Sequence, residues 1–278
     1  MSNLTKKMWE QTAKFWQTVK PTYKPSTLEI TRFNKYLLYV FKRFPQARVL
    51  ILGVTPEIRK LLAKLKCDVT LIDNNPVMIK AMDQIIEKRN PREKIVLGNW
   101  LKMPFYNGSF DVIMSDHPTS SLRYNQFDNF FKELKRVLSP KGYFILDIHV
   151  NAQLKKLTLD DYIEIYRKNK KWWKNFDNHV LTQYQVIMGY PAYYNQKTYR
   201  SQWGKLDRML RLRYERGKLS HSEYNDLGCK LGEINKYTFP PKSVYDKVIN
   251  KYFRILNDSH IPDHLVYQYY VPYFCQSK

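Results

Sequence analysis

The stretch Arg48-Val-Leu-Ile-Leu-Gly-Val-Thr-Pro-Glu57 constrains this chain more than any other. Residues 49–52 form a short apolar run closed by Gly53. From Ile58 the apolar residues move to helical spacing, with Ile58, Leu61, Leu62 and Leu65 on one face. Thr55, Pro56 and Glu57 offer an N-cap hydroxyl, a proline at the first helical position and a first-turn acid. The pattern predicts a strand, a tight turn and a helix whose free N–H groups face whatever lies beyond the strand end. Such units open doubly wound α/β sheets.

The alternation continues downstream. Val69-Thr-Leu-Ile-Asp73 reads as a second strand ending on an acid, and Asn74-Asn75-Pro76 starts a helix with Met78, Met82, Ile85 and Ile86 on one face. Lys94-Ile-Val-Leu97 reads as a third strand, closed by Gly98-Asn99-Trp100. Phe110-Asp-Val-Ile-Met114 reads as a fourth, followed by Ser115-Asp116-His117-Pro118. A helix carrying Phe127, Phe130, Phe131, Leu134 and Leu138 comes next. The turn Ser139-Pro-Lys-Gly142 then leads into a fifth strand over residues 143–148. Strands alternating with helices imply a parallel sheet, and right-handed crossovers bring all the strand C-termini to one face. Gly53, Asp73, Asn99 and Asp116 should converge there.

On either side of this core the pattern differs. Residues 1–46 hold an aromatic and proline-rich arm, with Trp16 and Tyr23, and then a helix. Ser26 and Glu29 form a capping box for that helix, and Phe33, Tyr36, Leu37, Val40, Phe41 and Phe44 make its stripe. Residues 151–240 are basic and tyrosine-rich, with Tyr190 in Tyr190-Pro-Ala-Tyr-Tyr194; helices are predicted at 159–168, 202–215 and 220–235. A helix with Val244, Tyr245, Val248 and Ile249 then resumes the core rhythm. Two final strands, 252–256 and 265–271, form an antiparallel pair at the sheet edge. The expected architecture is therefore a core of 47–150 and 241–278, an arm of 1–46 over the cleft, and a helical insertion of 151–240.

Composition narrows the function classes. No apolar run approaches the ~18–20 residues of a membrane span, and the polar N-terminus lacks a signal-peptide core. Three widely spaced cysteines fit a reduced, cytoplasmic protein, and neither they nor the scattered histidines make a metal motif, so no metal is expected. The net charge is +22, and it is uneven: residues 1–48 carry 10 Lys/Arg against 2 acids and residues 151–250 carry 19 against 10, whereas residues 49–150 carry 15 against 11. The excess outside the core suits an anionic partner, either a phosphorylated small molecule or nucleic acid.

These residues together resemble the class I S-adenosylmethionine-dependent methyltransferases, over roughly 47–150 and 241–275. The turn Leu52-Gly-Val-Thr-Pro-Glu57 is similar to that of one branch of the family. The resemblance implies a Rossmann-like seven-stranded sheet, mostly parallel with an antiparallel last strand, and S-adenosylmethionine as cofactor. It implies that Gly53, Val54 and Thr55 cradle the methionine part, and that Asp73 with Asn74 takes the ribose hydroxyls. Asn99, Trp100 and Met78 would face the adenine. The chain departs from the usual first motif by keeping one glycine and by placing Ile51 where the family often has an acid. Dinucleotide dehydrogenases share the strand–turn–helix, but Val54 and Pro56 occupy the space that a pyrophosphate needs.

Methyl transfer is an in-line displacement in which the protein mainly aligns the acceptor, so a conspicuous catalytic motif is not required. Asp116 and His117 lie on the acceptor side and are the candidate bases, and the resemblance also counts Asp116 among the cofactor-binding residues. Trp16, Tyr23 and Tyr190 are the candidate lid residues. The expected acceptor is a small anionic or aromatic molecule enclosed by the insertion; RNA bound by interleaved basic and aromatic residues, or a cofactor-binding subunit without activity, are the competing readings.

Overall fold

A computed structural model describes residues 16, 24–151, 157–170, 182–183, 185–187, 193–228, 237–257 and 269–278. Its strands are β1 (Arg48–Leu52), β2 (Asp68–Asp73), β3 (Glu93–Leu97), β4 (Phe110–Asp116), β5 (Leu138–His149), β6 (Tyr194–Asn195), β7 (Arg200–Ser201), β8 (Phe253–Asn257) and β9 (Tyr270–Ser277). Its α-helices are α1 (Thr27–Phe41), α2 (Pro56–Leu65), α3 (Pro76–Asp83), α4 (Phe127–Val137), α5 (Leu159–Lys168), α6 (Trp203–Glu215), α7 (His221–Leu227) and α8 (Lys242–Tyr252). Seven strands form one sheet in the order β3-β2-β1-β4-β5-β9-β8. β1 pairs in parallel with β2 and β4, while β9 runs antiparallel to both β5 and β8. This is the predicted doubly wound sheet with its antiparallel last strand.

Alternation along β1 sets the two layers. Val49 and Ile51 join a core with Phe33, Leu37 and Val40 of α1, Ile58 and Leu62 of α2, and Met78 and Met82 of α3. Leu50 and Leu52 point the other way, toward Phe127, Phe131 and Leu134 of α4 and Tyr245 and Ile249 of α8. A strand covered on both faces reads as continuous apolar sequence, which is why residues 49–52 carry no polar break. Residues between β5 and α8 bury a third cluster, including Tyr162, Ile163, Trp203, Leu206, Leu210 and Leu227, which Tyr269 and Tyr270 share at the start of β9. Among the described residues no helix is long and apolar enough to cross a membrane.

Local chemistry explains most element ends. Ser26 Oγ accepts from Glu29 N–H, and the Glu29 carboxylate accepts from Ser26 N–H, closing the predicted capping box of α1. Ser220 and Glu223 repeat the device at α7. Asn75 caps α3 by accepting from Val77 and Met78 N–H.

Five expectations are corrected. Thr55 precedes α2 but its hydroxyl makes no capping bond, so Pro56 and the macrodipole partner Glu57 start that helix. α3 ends at Asp83, short of Ile85 and Ile86, which continue only in single turns. β5 begins at Leu138, with residues 139–142 carried as a bulge between the pairs Phe110↔Leu138 and Val112↔Tyr143. The last strand is Tyr270–Ser277, running beyond the predicted 265–271 because its register is set by pairing with β5 from Tyr143 to His149; residues 265–268 lie outside the described ones. α7 stops at Leu227; residues 229–235 of the predicted helix lie outside the described ones.

One ion network locks α2 and α3 to the sheet. Arg59 of α2 is 1% exposed and donates to Asp83 at 2.7 Å and to Glu93 at 2.6 and 3.0 Å. Breaking one side of a buried pair leaves an uncompensated charge. Arg59→Ala is therefore expected to lower stability by about 3–5 kcal/mol in urea unfolding.

Candidate functional site

The strand order reverses at β1, between β2 and β4, and the site lies beyond the C-terminal ends there. The Gly53 turn is held from both sides. Ser115 Oγ donates to Leu52 O at 2.7 Å, and Gly53 N–H donates to Ile72 O at 2.9 Å. Gly53 sits at φ 97°, a conformation that strains any side chain. A Cβ there would stand 3.9 Å from Asp73 Oδ2 and 3.9 Å from Trp100 Cζ2. The glycine thus keeps a gap open between a carboxylate and an indole face. Trp100 is fixed in that wall by its own N–H, which donates to Ile72 O at 2.8 Å.

Asp73 ends β2 with one oxygen accepting from Asn75 N–H at 2.8 Å and the other beside the Gly53 gap. Burial raises its pKa to about 6, with Asn75 and Asn74 N–H acting in the opposite direction. Asn74 is exposed, while Asn75 beside it is buried and caps α3. Asn99 is exposed after β3, and its carbonyl oxygen accepts from Leu101 N–H at 2.9 Å. Its amide nitrogen is then the group it offers, a donor suited to a ring nitrogen. Met78 is 8% exposed and packs in the core beneath α3. Val54 is buried behind the turn and Thr55 is half-buried.

On the other side of Gly53 the ends of β4 and β5 meet α1. Asp116 Oδ1 lies 3.1 Å from His117 Nε2, and Asp147 takes Arg32 of α1 at 3.3 and 3.4 Å. Burial raises the Asp147 pKa to about 7, helped by Glu29 and opposed by Arg32. Burial also raises Asp116 well above the usual carboxylate range, and the charges acting on it, Glu29, Asp147 and Glu57, are all negative. His117 sits in the left-handed region at φ 49° with its N–H on Asp147 O. Its ring stacks on His149 at 3.7 Å, with Tyr270 at 5.0 Å, and burial lowers its pKa to about 3. It is neutral over the ordinary pH range.

Trp16 is buried and donates its indole N–H to Glu57 Oε1 at 3.2 Å, so this part of the arm rests on the first turn of α2. Tyr23 and Tyr190 lie outside the described residues. The segment before α8 passes beside the same site: Thr238 N–H donates to Ser120 O and its hydroxyl to Leu122 O. Sequence reasoning missed Glu29, Arg32, Glu57, Asp147 and His149 as site residues. Glu29 had been assigned only to the cap. Among the described residues, Glu29, Asp116 and His117 bring ligand-type atoms within 4.8 Å of one another, a trio that no spacing in the sequence announces.

Comparison with known proteins agrees with this geometry. Residues 52–146 match a family described as a methyltransferase domain. No curated protein sequence matches the chain. Among solved structures, a protein of Pyrococcus horikoshii aligns at 15% identity over 95% of this chain and 98% of its own, with a TM-score of 0.57. A Rhodobacter sphaeroides protein described as a putative zinc-dependent alcohol dehydrogenase aligns at 15% identity over 100% and 99%, with a TM-score of 0.59. The N-methyltransferase NodS of Bradyrhizobium japonicum, solved with S-adenosyl-L-homocysteine, aligns at 10% identity over 97% and 98%, with a TM-score of 0.53. At these identities the likeness is one of fold, the Rossmann-like fold of the methyltransferases.

The acids at this site tie stability to pH. Asp73 and Asp147 have folded pKa values near 6 and 7, whereas their unfolded counterparts ionise near pH 4. Both contributions are full at acid pH and are lost as the pH rises through the folded values. The free protein is expected to melt at a lower temperature at pH 8 than at pH 5.5, and Asp147→Asn should flatten that slope in thermal melts.

Proposed function

We propose that the protein is an S-adenosylmethionine-dependent methyltransferase acting on an oxygen or nitrogen of a small-molecule acceptor. The observation that carries this reading is the acid-rich end of the sheet: Asp73, Asp116, Asp147, Glu29 and Glu57 gather around the Gly53 turn. A sulfonium donor with an ammonium group is cationic, and such a floor attracts it. The pyrophosphate of a dinucleotide would meet carboxylates instead, which argues against the dehydrogenase chemistry attributed to the Rhodobacter relative.

When bound, the cofactor supplies an electrophilic methyl carbon. Asp73 has a free carboxylate oxygen for the ribose hydroxyls, and the Gly53 gap admits that edge without a side chain. Trp100 and Asn99 supply a flat apolar surface and an amide donor for the adenine, with Met78 behind them. Val54 and Thr55 lead into the α2 N-terminus that faces the methionine part. Asp116, beside neutral His117, stands where an acceptor's proton would be received, and His117 is held in place by its stack on His149. A general base contributes only where the acceptor must lose a proton.

The division into a core of 47–150 and 241–278, an arm and an acceptor-recognising insertion belongs to the same reading. The bonds from Thr238 to Ser120 and Leu122 support it, since they seat the insertion beside His117. The acid floor favours an acceptor that is neutral or cationic at its reacting atom over the anionic one suggested by net charge.

Calorimetry tests the premise. The protein is expected to bind S-adenosylhomocysteine, and Asp73→Ala to weaken it by about tenfold or more through loss of a carboxylate–hydroxyl contact. No binding at high micromolar concentration would overturn the reading. Asp116→Ala is expected to slow turnover on an acceptor that must be deprotonated; full turnover would remove Asp116 from the base role.

A second reading rests on the outer face of α6, where Lys205, Arg208, Arg211 and Arg216 are exposed and the half-exposed Tyr214 stacks on Tyr224. Such a face suits RNA through phosphate contacts and stacking. This reading predicts a gel shift with bulk RNA whose affinity falls steeply with salt.

A further inference from the structure

The first strand lacks the acid that many proteins of this fold class place there. Ile51 is fully buried and pairs with Leu71 and Met114, so β1 can offer no charge to a ligand. Negative charge reaches the same face from another direction. Glu29, on the third residue of α1, is 3% exposed and lies with Asp116 and His117 in a cluster whose ligand-type atoms are within 4.8 Å of one another.

This cluster has an unmet requirement for a cation. Asp116 is 7% exposed in its side chain, and its buried Oδ1, although 3.1 Å from His117 Nε2, makes no well-aligned hydrogen bond. Arg32, the guanidinium nearest in sequence to Glu29 on α1, is engaged by Asp147. The Nδ1 of neutral His117 is also without a partner. Burying carboxylates without a counter-charge is costly, and the group that occupies such a place should be a compact cation carrying several N–H donors.

We propose that Glu29 and Asp116 form the binding site for the ammonium group of the cofactor's amino acid end, with Glu29 supplying from α1 the charge that β1 lacks. The inference rests on the methyltransferase reading and adds a residue from outside the sheet to the cofactor site. An ammonium has three donors for the oxygens of the two carboxylates. It also explains why a helix from the N-terminal segment is packed over the end of β4: the cofactor pocket is complete only when α1 is docked.

Glu29→Gln tests this cleanly, because glutamine also serves at the third position of a capping box and α1 keeps its start. The probes are S-adenosylhomocysteine, which carries the ammonium, and 5′-methylthioadenosine, which has the adenosyl thioether without the amino acid end. By calorimetry, Glu29→Gln is expected to weaken S-adenosylhomocysteine by about 10- to 100-fold, the range of a charge-assisted hydrogen bond, and to leave methylthioadenosine unchanged. Asp116→Asn should behave in the same way, and the melting temperature of Glu29→Gln should equal or exceed that of the parent. Equal loss for both probes would assign Glu29 a purely structural role and overturn the inference, as would no loss for either. Stoichiometric binding of Mn²⁺ or Zn²⁺ that Glu29→Gln abolishes would also overturn it, making the trio a metal site. If the parent protein binds neither nucleoside probe, the methyltransferase reading fails first, which is a different result from selective loss in the variant.

Discussion

β1 is hydrogen-bonded on both edges and covered on both faces, so the chain can leave it only past its C-terminal end. That constraint places the Gly53 turn in the crevice where the strand order reverses, and the rest of the site is arranged around it. Ile72 O accepts from both Gly53 N–H and the Trp100 indole, while Ser115 holds Leu52 O from the other side. Three strands thereby share one rigid corner. A ligand that uses it meets a preformed wall, and little ordering is left to be done on binding.

Electrostatics divides the corner into two halves. On the β2 and β3 side there is Asp73, with the indole of Trp100 and the amide of Asn99. On the β4 and β5 side there are Asp116, Asp147, Glu29 and Glu57, with Arg32 engaged by Asp147. The net basic charge of the chain says little about this interior. Excess Lys and Arg lie in sequence before residue 49 and between residues 151 and 250, whereas the acids at the strand ends act where water is scarce. A protein with a charge of +22 can therefore hold a negative floor at the ends of its strands.

The packing of α1 and the insertion makes the site a composite. α1 delivers Glu29 and Arg32 to the ends of β4 and β5, and Trp16 reaches Glu57 at the start of α2. From the opposite end of the chain, Tyr270 lies against both His117 and His149, and Phe239 lies against His149. These rings shield the histidines so well that His117 stays neutral far below its ordinary range. A neutral imidazole with a left-handed backbone and a buried acid at its side is costly to build for packing alone. Strain and burial of this kind concentrate where chemistry needs a fixed group.

The sequence by itself determined the sheet, its strand-end acids and the covering helices. Periodicity of two against 3.6, the Ser26–Glu29 box and the acid closing β2 are local signals that neighbours in the chain suffice to create. Gly53, Asp73, Asn99 and Asp116 were legible as strand-end residues because parallel topology sends every strand end to one face, whereas Trp100 entered only through the family resemblance. Tertiary structure alone decided which other charges join them. Glu29 reads in sequence as a helix cap and Asp147 as part of a strand; docking of α1 brings Glu29, and the β4–β5 register brings Asp147, within reach of Asp116, more than 30 residues from either. Register was likewise decided at long range, since β9 is placed by its pairing with β5 and not by its own apolar run. Local chemistry writes elements and caps, but desolvation and charge depend on what is packed alongside, and that is a property of the fold.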